Sequence, residues 1–179
     1  MASCARPTFS EGEIEVNLYL IRHAIAVEEF EDDSQRPLTD KGKKKMRQIA
    51  KGLRALGVEF DLILSSPYVR AAETAEVLAD VFKMKKEVKF SDNLVPMGAP
   101  DLLIAEMNEK YTAGSVALVG HEPFLSALIG LLVADNASVD ITLKKGGVCS
   151  LSADDLHHTH KASMDWLLTP GMLVGISEK

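Results

Sequence analysis

VNLYLIRH, residues 16–23, is a short apolar run that ends in two polar side chains. Its first six residues include valine, tyrosine and isoleucine, which favour extended backbone, and charged residues stand on either side. A run of this length between charged residues is typical of a strand buried inside a sheet. Arg22 and His23 follow directly, so the chain turns from core-forming to polar where the strand is expected to end.

The same order of apolar run and polar ending occurs twice more along the chain. Residues 60–65 (FDLILS) are expected to form a second strand, which a polar segment follows. Residues 115–119 (SVALV) are expected to form a third, after which His121 stands close to the end of the run. A shorter strand is expected at residues 87–90. Repeated short strands therefore organise most of the chain.

The segments between these strands carry helix signals. Thr39 is expected to cap a helix whose apolar residues recur at intervals of three and four, and Gly57 is expected to end it. Ser66 and Pro67 supply a cap and a proline suited to the first position of the next helix. A further helix is expected after Pro123. Helices that alternate with strands indicate parallel strands joined by helical crossovers.

The last third of the chain breaks this alternation. Residues 148–151 and 162–168 are expected to form two strands around the polar loop SADDLHHTHK. Two strands that follow each other closely in this way favour antiparallel pairing. The sequence therefore predicts an α/β fold, a three-layer α/β/α sandwich whose mostly parallel sheet has helices on both faces and an antiparallel pair at one edge.

Length and composition indicate one ordinary globular domain. The chain has 179 residues, of which 46% are hydrophobic and 26% are charged, and these values exclude wholesale disorder. Residues 1–13 are small, polar and aperiodic, so we expect a flexible N-terminal tail. Residues 14–179 contain no linker-like stretch and no internal repeat, so we expect them to form a single domain.

Charge and cysteine content exclude several functions. The formal net charge is −6, which makes non-specific binding of nucleic acid unfavourable. Cys4 and Cys149 lack the spacing of a thiolate zinc site and fit a reducing compartment. No apolar stretch approaches the roughly 20 residues that span a bilayer, and residues 1–13 lack the apolar centre of a secretory signal. We therefore expect a cytoplasmic protein that binds neither nucleic acid nor membranes.

Basic and titratable side chains follow three of the expected strands. Arg22 and His23 follow the first, Arg70 lies in the first turn of the helix after the second, and His121 follows the third. In open α/β sheets ligands bind beyond the carboxyl ends of the parallel strands, so these four side chains are expected at one edge. Arginine binds phosphate oxygens through a planar fork of donors. The sequence therefore predicts an anion site at this edge.

Four segments together carry a resemblance to a known family. They are LIRHAIAV from residue 20, RPLTDKG from residue 36, LILSSPYVRAAETA from residue 62 and VALVGHEP from residue 116. In this combination they resemble the histidine phosphatase superfamily, also called the phosphoglycerate mutase-like family. Within it they most resemble the small SixA-type phosphohistidine phosphatases. The resemblance covers about residues 17–132 and implies a phosphoglycerate mutase-like fold.

The resemblance implies a metal-independent phosphatase that works through a covalent phosphohistidine intermediate and needs no cofactor. His23 would be the nucleophile, and Arg22, Arg70 and His121 would be the other catalytic residues, which bind the phosphoryl oxygens. Arg36, in RPLT, would bind phosphate at the pocket rim, the alternative being a solvent-exposed loop arginine. Attack requires a neutral His23, which the nearby arginine charges favour, whereas a protonated His121 would add a positive charge.

The sequence departs from the family in two places. Ala24 stands where the family commonly has glycine, which requires ordinary backbone angles at that position. Residues 91–100, SDNLVPMGAP, contain no obvious general acid, because Asp92 and the nearby Asp101 are better suited to a turn or a helix cap. An imidazole leaves without a proton donor more readily than an alkoxide does. The favoured substrate is therefore a phosphohistidine on a signalling protein of the histidine phosphotransfer type.

Two other functions remain open at this point. A phosphatase of small phosphomonoesters would use Asp92, Asp101 or a loop carboxylate as its acid, and a non-catalytic module would bind phosphoproteins without using a nucleophile. Residues 157–160 include three histidines: His157, His158 and His160. We favour an exposed hairpin tip for this segment, and a metal site is the alternative. Four lysines are expected on a solvent-exposed helix face: Lys41, Lys43, Lys44 and Lys45. Binding of an acidic partner by these lysines is the alternative.

Overall fold

The computed structural model describes residues 16–153 and 162–178. The expected N-terminal tail, residues 1–13, lies outside these ranges, as do the three histidines between residues 157 and 160. No helix within the described ranges is long and apolar enough to span a membrane.

Six strands and five α-helices alternate through most of the described chain. The strands are β1 Val16–Arg22, β2 Leu62–Ser65, β3 Val88–Phe90, β4 Ser115–Gly120, β5 Val148–Ala153 and β6 Ser163–Leu168. The helices are α1 Asp40–Ala55, α2 Val69–Phe82, α3 Pro100–Lys110, α4 Phe124–Ala134 and α5 Pro170–Ser177.

All six strands belong to one sheet, with the order β3-β2-β4-β1-β5-β6. Strands β1 to β4 run parallel, whereas β5 pairs antiparallel with both β1 and β6. The predicted mostly parallel sheet with an antiparallel pair at one edge is therefore confirmed. Strands β2, β4 and β1 are neighbours, and their register places Ser65 opposite Val119 and Arg22 opposite Gly120. The residues that follow these three strands consequently meet at one edge.

Helices cover both faces of the sheet and form the predicted three layers. Alternate residues of β1 belong to two separate cores, Ile21 to one and Leu20 to the other, so the strand is buried on both sides. The first core joins the sheet to α1, α2 and α5 through Met46, Leu78 and Leu173 among others. The second joins it to α3 and α4. Burial on both faces explains why β1 is an almost continuous apolar run.

The ends of α1 follow the sequence signals, whereas the start of α2 does not. Thr39 Oγ1 accepts a hydrogen bond from the Gly42 amide (2.9 Å), and Gly57 adopts a φ of 78° after the helix. The predicted cap at Ser66 and Pro67 is wrong, because α2 begins only at Val69. The Ser66 hydroxyl accepts instead from the Tyr68 amide (3.3 Å) inside a short loop.

Helix α5 was not among the predicted helices. It packs closely on α1, where a Cβ added at Gly52 would lie 2.1 Å from the Leu173 carbonyl oxygen. Its sequence, PGMLVGIS, contains two glycines and a proline and has no polar face, so its local signals favour other structures. Packing against α1 stabilises the helix where its own propensity is weak.

Candidate active site

Three of the four predicted site residues are in direct proximity at the carboxyl edge of the sheet. Arg70 lies in the first turn of α2, and its Nε donates a hydrogen bond to His23 Nε2 (3.3 Å). The rings of His23 and His121 lie 5.1 Å apart between centroids. His23, Arg70 and His121 are all at most 4% exposed. Arg22, the last residue of β1, lies beside this group but makes its hydrogen bond elsewhere.

The contacts of His23 determine which of its ring nitrogens carries the proton. Nδ1 lies 2.7 Å from the Ala24 carbonyl oxygen, and Nε2 faces the Arg70 guanidinium. A carbonyl oxygen can only accept a hydrogen bond and a guanidinium can only donate one. The neutral ring therefore has its proton on Nδ1 and a free electron pair on Nε2.

Burial and neighbouring positive charges keep His23 neutral. Burial is the main cause that lowers the pKa of His23 to about 4; the hydrogen bond to Ala24 opposes it, and the charges of Arg70, Arg22 and Lys145 act with burial. At neutral pH the Nε2 electron pair is therefore available. The influence of the two arginines has the predicted direction, although burial is the larger cause. Sequence reasoning did not identify Lys145 as a residue near the site, because nothing in the sequence distinguishes it from the other lysines.

His121 is also neutral in this arrangement. Its Nε2 lies 2.9 Å from the Ser66 hydroxyl oxygen, while its buried Nδ1 has no hydrogen-bond partner among the described residues. Burial, as the largest cause, together with the neighbouring His23 and Arg70 lowers the pKa of His121 to about 3. The positive charge that a protonated His121 would add is thus absent at neutral pH. The ring still offers one N–H donor, and a bound anion would raise its pKa.

Arg70 and Arg36 share one carboxylate, that of Asp33. Arg70 Nη2 donates to Asp33 Oδ2 (2.9 Å) and Nη1 donates to the Asp33 carbonyl oxygen (2.5 Å), while Arg36 Nη2 lies 2.9 Å from Asp33 Oδ1. Burial opposes ionisation of Asp33, but the two guanidinium groups hold its pKa below the usual value. The carboxylate shows that a single anionic group can contact both arginines. Sequence reasoning missed Asp33, which stands in an acidic loop.

Arg36 and Arg22 are both anchored to backbone carbonyl groups. Arg36 Nη1 donates to the Val27 carbonyl oxygen (3.0 Å), and Arg22 Nη1 donates to that of Leu143 (2.8 Å). In each side chain Nε is buried and has no hydrogen-bond partner within the described part of the chain. Arg36 therefore lies next to the site, paired with Asp33, rather than free in solvent. Each arginine has a donor to spare for an anion.

A buried hydroxyl connects α2 to the segment after His23. Thr74 Oγ1 accepts a hydrogen bond from the Ala24 amide (3.0 Å) and donates one to the Arg70 carbonyl oxygen (2.7 Å). It thereby fixes the residue whose carbonyl group binds His23 Nδ1. Ala24 has no positive φ, in agreement with the ordinary backbone angles expected there. Thr74 lies in the segment LILSSPYVRAAETA, but its role depends on a contact with Ala24 that the sequence does not reveal.

Neither aspartate considered as a general acid contacts the site residues among the described side chains. Asp92 is exposed in a single 3-10 turn, Asp92–Leu94, and Asp101 is exposed in the first turn of α3. Both therefore occupy the turn and helix-start positions expected for them. Glu122 follows His121 and has a buried Oε1 without a hydrogen-bond partner. The described residues contain no cluster of three or more His, Cys, Asp or Glu side chains that could hold a metal ion.

Comparison with known proteins identifies the family. The sequence model of the histidine phosphatase superfamily (branch 1) matches residues 18–98. An uncharacterised protein of Picosynechococcus sp. is 33% identical over 140 residues, which cover 76% of this chain and 84% of that protein. The chain therefore belongs to the histidine phosphatase superfamily.

Individual relatives refine this assignment. Phosphohistidine phosphatase SixA of Escherichia coli K12 is 27% identical over 157 residues, 87% of this chain and 94% of that protein. The structure of the protein histidine phosphatase SixA complexed with tungstate superimposes with a TM-score of 0.77 at 26% identity, over 88% of this chain and 99% of that one. A phosphoglycerate mutase from Bacillus anthracis shares the fold, with a TM-score of 0.66 at 14% identity and coverage of 93% and 98%. The chain is a SixA-type phosphatase with a phosphoglycerate mutase-like fold.

Proposed function

We propose that this chain is a phosphohistidine phosphatase that acts on a signalling protein of the histidine phosphotransfer type, without a metal ion and with His23 as nucleophile. The observation that carries the proposal is the state of His23. Its ring is neutral, its proton is held at Nδ1 by the Ala24 carbonyl group, and Nε2 faces the Arg70 guanidinium. A nucleophile therefore stands beside a group that binds phosphoryl oxygens.

The reaction has two steps with His23 at the centre. Nε2 attacks the phosphorus atom, the bond from phosphorus to the substrate nitrogen breaks, and the departing imidazole takes a proton from solvent. Nδ1 keeps its proton, so the Ala24 carbonyl oxygen stabilises the positive charge of the phosphorylated ring. Water then attacks the phosphorus atom, the bond to Nε2 breaks, and inorganic phosphate leaves. Division into two steps lowers each barrier.

The surrounding cations would stabilise the charge that develops on the phosphoryl oxygens. Arg70 and Arg36 already share the Asp33 carboxylate, so a phosphoryl group at this position can reach both. Arg22 has an unpartnered Nε, and His121 has an unpartnered ring nitrogen. Phosphoryl transfer depends mainly on positioning and on charge stabilisation, which these four side chains supply without a metal ion.

The Asp33 carboxylate near the site favours a nitrogen leaving group. Asp33 is bound by two arginines and its pKa is lowered, so it is a poor proton donor at neutral pH. An alkoxide would need such a donor, whereas an imidazole can take its proton from water. The relative SixA of Escherichia coli is named a phosphohistidine phosphatase, which supports the same substrate class.

One observation favours small phosphomonoesters as a second candidate. Glu122 follows His121 directly, and its buried Oε1 has no hydrogen-bond partner. A carboxyl group in this place could protonate an alkoxide. Replacement of Glu122 by glutamine distinguishes the two candidates, because it would impair hydrolysis of a phosphomonoester and leave hydrolysis of phosphohistidine unchanged.

The first prediction concerns the nucleophile and the substrate. A histidine phosphotransfer domain phosphorylated with phosphoramidate is mixed with the native chain or with the His23→Ala variant, with EDTA present. We expect the native chain to release phosphate, and the variant to be slower by on the order of a thousandfold or more, because the covalent route is lost. Acid-labile phosphate should be trapped on the native chain alone.

Each alternative outcome contradicts a stated part of the proposal. Loss of activity in EDTA contradicts the metal-independent route. Hydrolysis of a small phosphomonoester but not of the carrier contradicts the proposed substrate. Binding of the phosphorylated carrier without phosphate release or trapped label would show a binding module instead. Circular dichroism of the variant verifies that it is folded.

A further inference from the structure

A groove between α1 and α5 holds positive charge that the phosphatase mechanism does not use. The groove has a volume of about 540 Å³. Its lining consists of Lys41, Lys44, Lys45, Gln48, Gly171 and Val174. We propose that this groove is a docking site for an acidic segment of the phosphoprotein substrate. The inference rests on the proposed function and adds to it a surface that selects the protein partner.

Among the described residues, the lysines of the groove lack the counter-charges that two other cations of α1, Lys43 and Arg47, have. Lys43 is paired with Glu73 (2.5 Å) and Arg47 with Asp80 (2.6 Å). Within the described residues no ion pair or hydrogen bond is formed by the side chains of the three groove lysines, Lys41, Lys44 and Lys45. Unpaired like charges on adjacent turns repel each other, and an anionic partner removes that repulsion.

The groove continues a face of α1 that is already used for packing. Gly52 contacts Leu173 of α5, and the positions four, seven, eight and eleven residues before it lie on the same face. These positions hold Gln48, Lys45, Lys44 and Lys41. Helix α5 begins at Pro170, and both Pro170 and Ile49 of α1 lie close to Gly146. The turns of α1 before Ile49 therefore extend beyond the first residue of α5. This part of the face is therefore open to a partner.

The side of the groove formed by Gly171 leaves room for the backbone of a partner. A Cβ added at Gly171 would meet no atom within 4 Å. Glycine is unfavourable inside a helix, and nothing in the described surroundings requires it at this position. A wide opening lined by flexible lysines suits a polypeptide segment with several carboxylates better than a single small anion, which would need a closely fitted pocket.

The groove lies close to the catalytic histidine. The Gly146 amide donates to the His23 carbonyl oxygen (3.1 Å), and a Cβ at Gly146 would lie 3.9 Å from Pro170, the first residue of α5. At the other side, the Thr39 amide, at the start of α1, donates to the Ile25 carbonyl oxygen (3.0 Å). A protein that presents its phosphohistidine to His23 can therefore reach the groove with a neighbouring segment.

The test reverses the charge of the groove and leaves the active site unchanged. One variant carries Lys41→Glu, Lys44→Glu and Lys45→Glu. The matched control carries Lys83→Glu, Lys86→Glu and Lys89→Glu, which alter the net charge equally at exposed positions around β3, the opposite edge strand. The substrates are a phosphorylated histidine phosphotransfer domain with acidic residues around its phosphohistidine, and free phosphohistidine. Rates are measured from 20 to 300 mM salt.

We expect KM for the phosphorylated domain to rise at least tenfold at low salt in the groove variant, with kcat unchanged. Hydrolysis of free phosphohistidine should be unaffected, and the control should resemble the native chain. The native KM should increase with salt, because screening weakens the docking. Thermal unfolding should be similar in all three proteins, since the altered side chains make no pairs.

Three results would overturn the docking site. One is an unchanged KM for the domain, and another is equal impairment with free phosphohistidine, which would show a general effect on the active site. A third is a change of oligomeric state in the groove variant by sedimentation, which would assign the groove to a second copy of the chain. If the native chain hydrolyses neither substrate, the proposed function fails first, and the docking inference fails with it.

Discussion

At the scale of single residues, His23 depends on groups that bind both of its ring nitrogens. The Ala24 carbonyl oxygen accepts from Nδ1, and Arg70 donates to Nε2. Thr74 supports both partners, since its hydroxyl accepts from the Ala24 amide and donates to the Arg70 carbonyl oxygen. One hydroxyl therefore controls the position of the acceptor and of the arginine together.

Thr74→Val tests this support. Valine has nearly the same shape but leaves the buried Ala24 amide without an acceptor, which should lower the free energy of unfolding by about 1–3 kcal/mol. We expect kcat to fall at least tenfold, because the Ala24 carbonyl group and Arg70 lose their fixed positions. Thr74→Ser keeps the hydroxyl and is the matched control. Equal kcat in the two variants, measured beside urea unfolding, would contradict a positioning role.

Sequence reasoning located the charged side chains of the site but not their partners. Arg22, His23, Arg70 and His121 were predicted because each follows a strand or begins a helix at the same edge. Asp33 was missed because it is one of several acids in the loop EEFEDD, and no spacing distinguishes it from its neighbours. The acceptor of His23 Nδ1 is a backbone carbonyl group, which every residue possesses, so no sequence signal can mark it.

At the scale of elements, helices and strands with strong apolar patterns could be predicted, whereas those with weak local signals could not. β1, β4, α1 and α4 lie where apolar patterns placed them. The start of α2 was wrong because the Ser66 hydroxyl lies against His121 and the Tyr68 amide, a contact of the folded chain that overrides its capping propensity. Helix α5 was missed because its two glycines and its proline disfavour a helix, which packing against α1 stabilises.

The contact between α1 and α5 can be tested with two glycines. Gly52→Ala places a Cβ 2.1 Å from the Leu173 carbonyl oxygen, so the helices must separate. We expect the free energy of unfolding to fall by roughly 1–3 kcal/mol or more in urea titrations. Gly175→Ala is the matched control, because its Cβ meets nothing within 4 Å. That variant should be up to about 1 kcal/mol more stable than the native chain. A stability loss in the control equal to that of Gly52→Ala would contradict a specific close contact.

At the scale of the whole molecule, the active site makes stability depend on pH. Burial keeps His23 and His121 neutral in the folded chain, with pKa values of about 4 and about 3, whereas an unfolded histidine titrates near 6.5. The unfolded state therefore binds more protons below pH 6.5. The stabilising effect of the neutral rings is complete above that value and is lost as pH falls towards 4.

This linkage gives a testable prediction. Between pH 7 and pH 5 the free energy of unfolding should fall by about 2 kcal/mol for each buried histidine. Urea unfolding of the native chain at half-unit intervals measures the slope. The double variant His23→Ala and His121→Ala should show a flatter slope over this range, whatever its absolute stability. An equally steep slope in the variant would assign the pH dependence to other groups.

The strand order has a consequence for the growing polypeptide. β4 lies between β1 and β2 in the sheet but follows both in the chain. Until Ser115–Gly120 leaves the ribosome and is inserted between them, the nascent chain has both Arg22 and Arg70 but lacks the strand that pairs with both β1 and β2. His121 directly follows β4, so the same insertion places it at this edge of the sheet. The phosphate-binding centre is consequently complete only after β4 and His121 have been synthesised, so a partly made chain carries all of its arginines but lacks part of the centre.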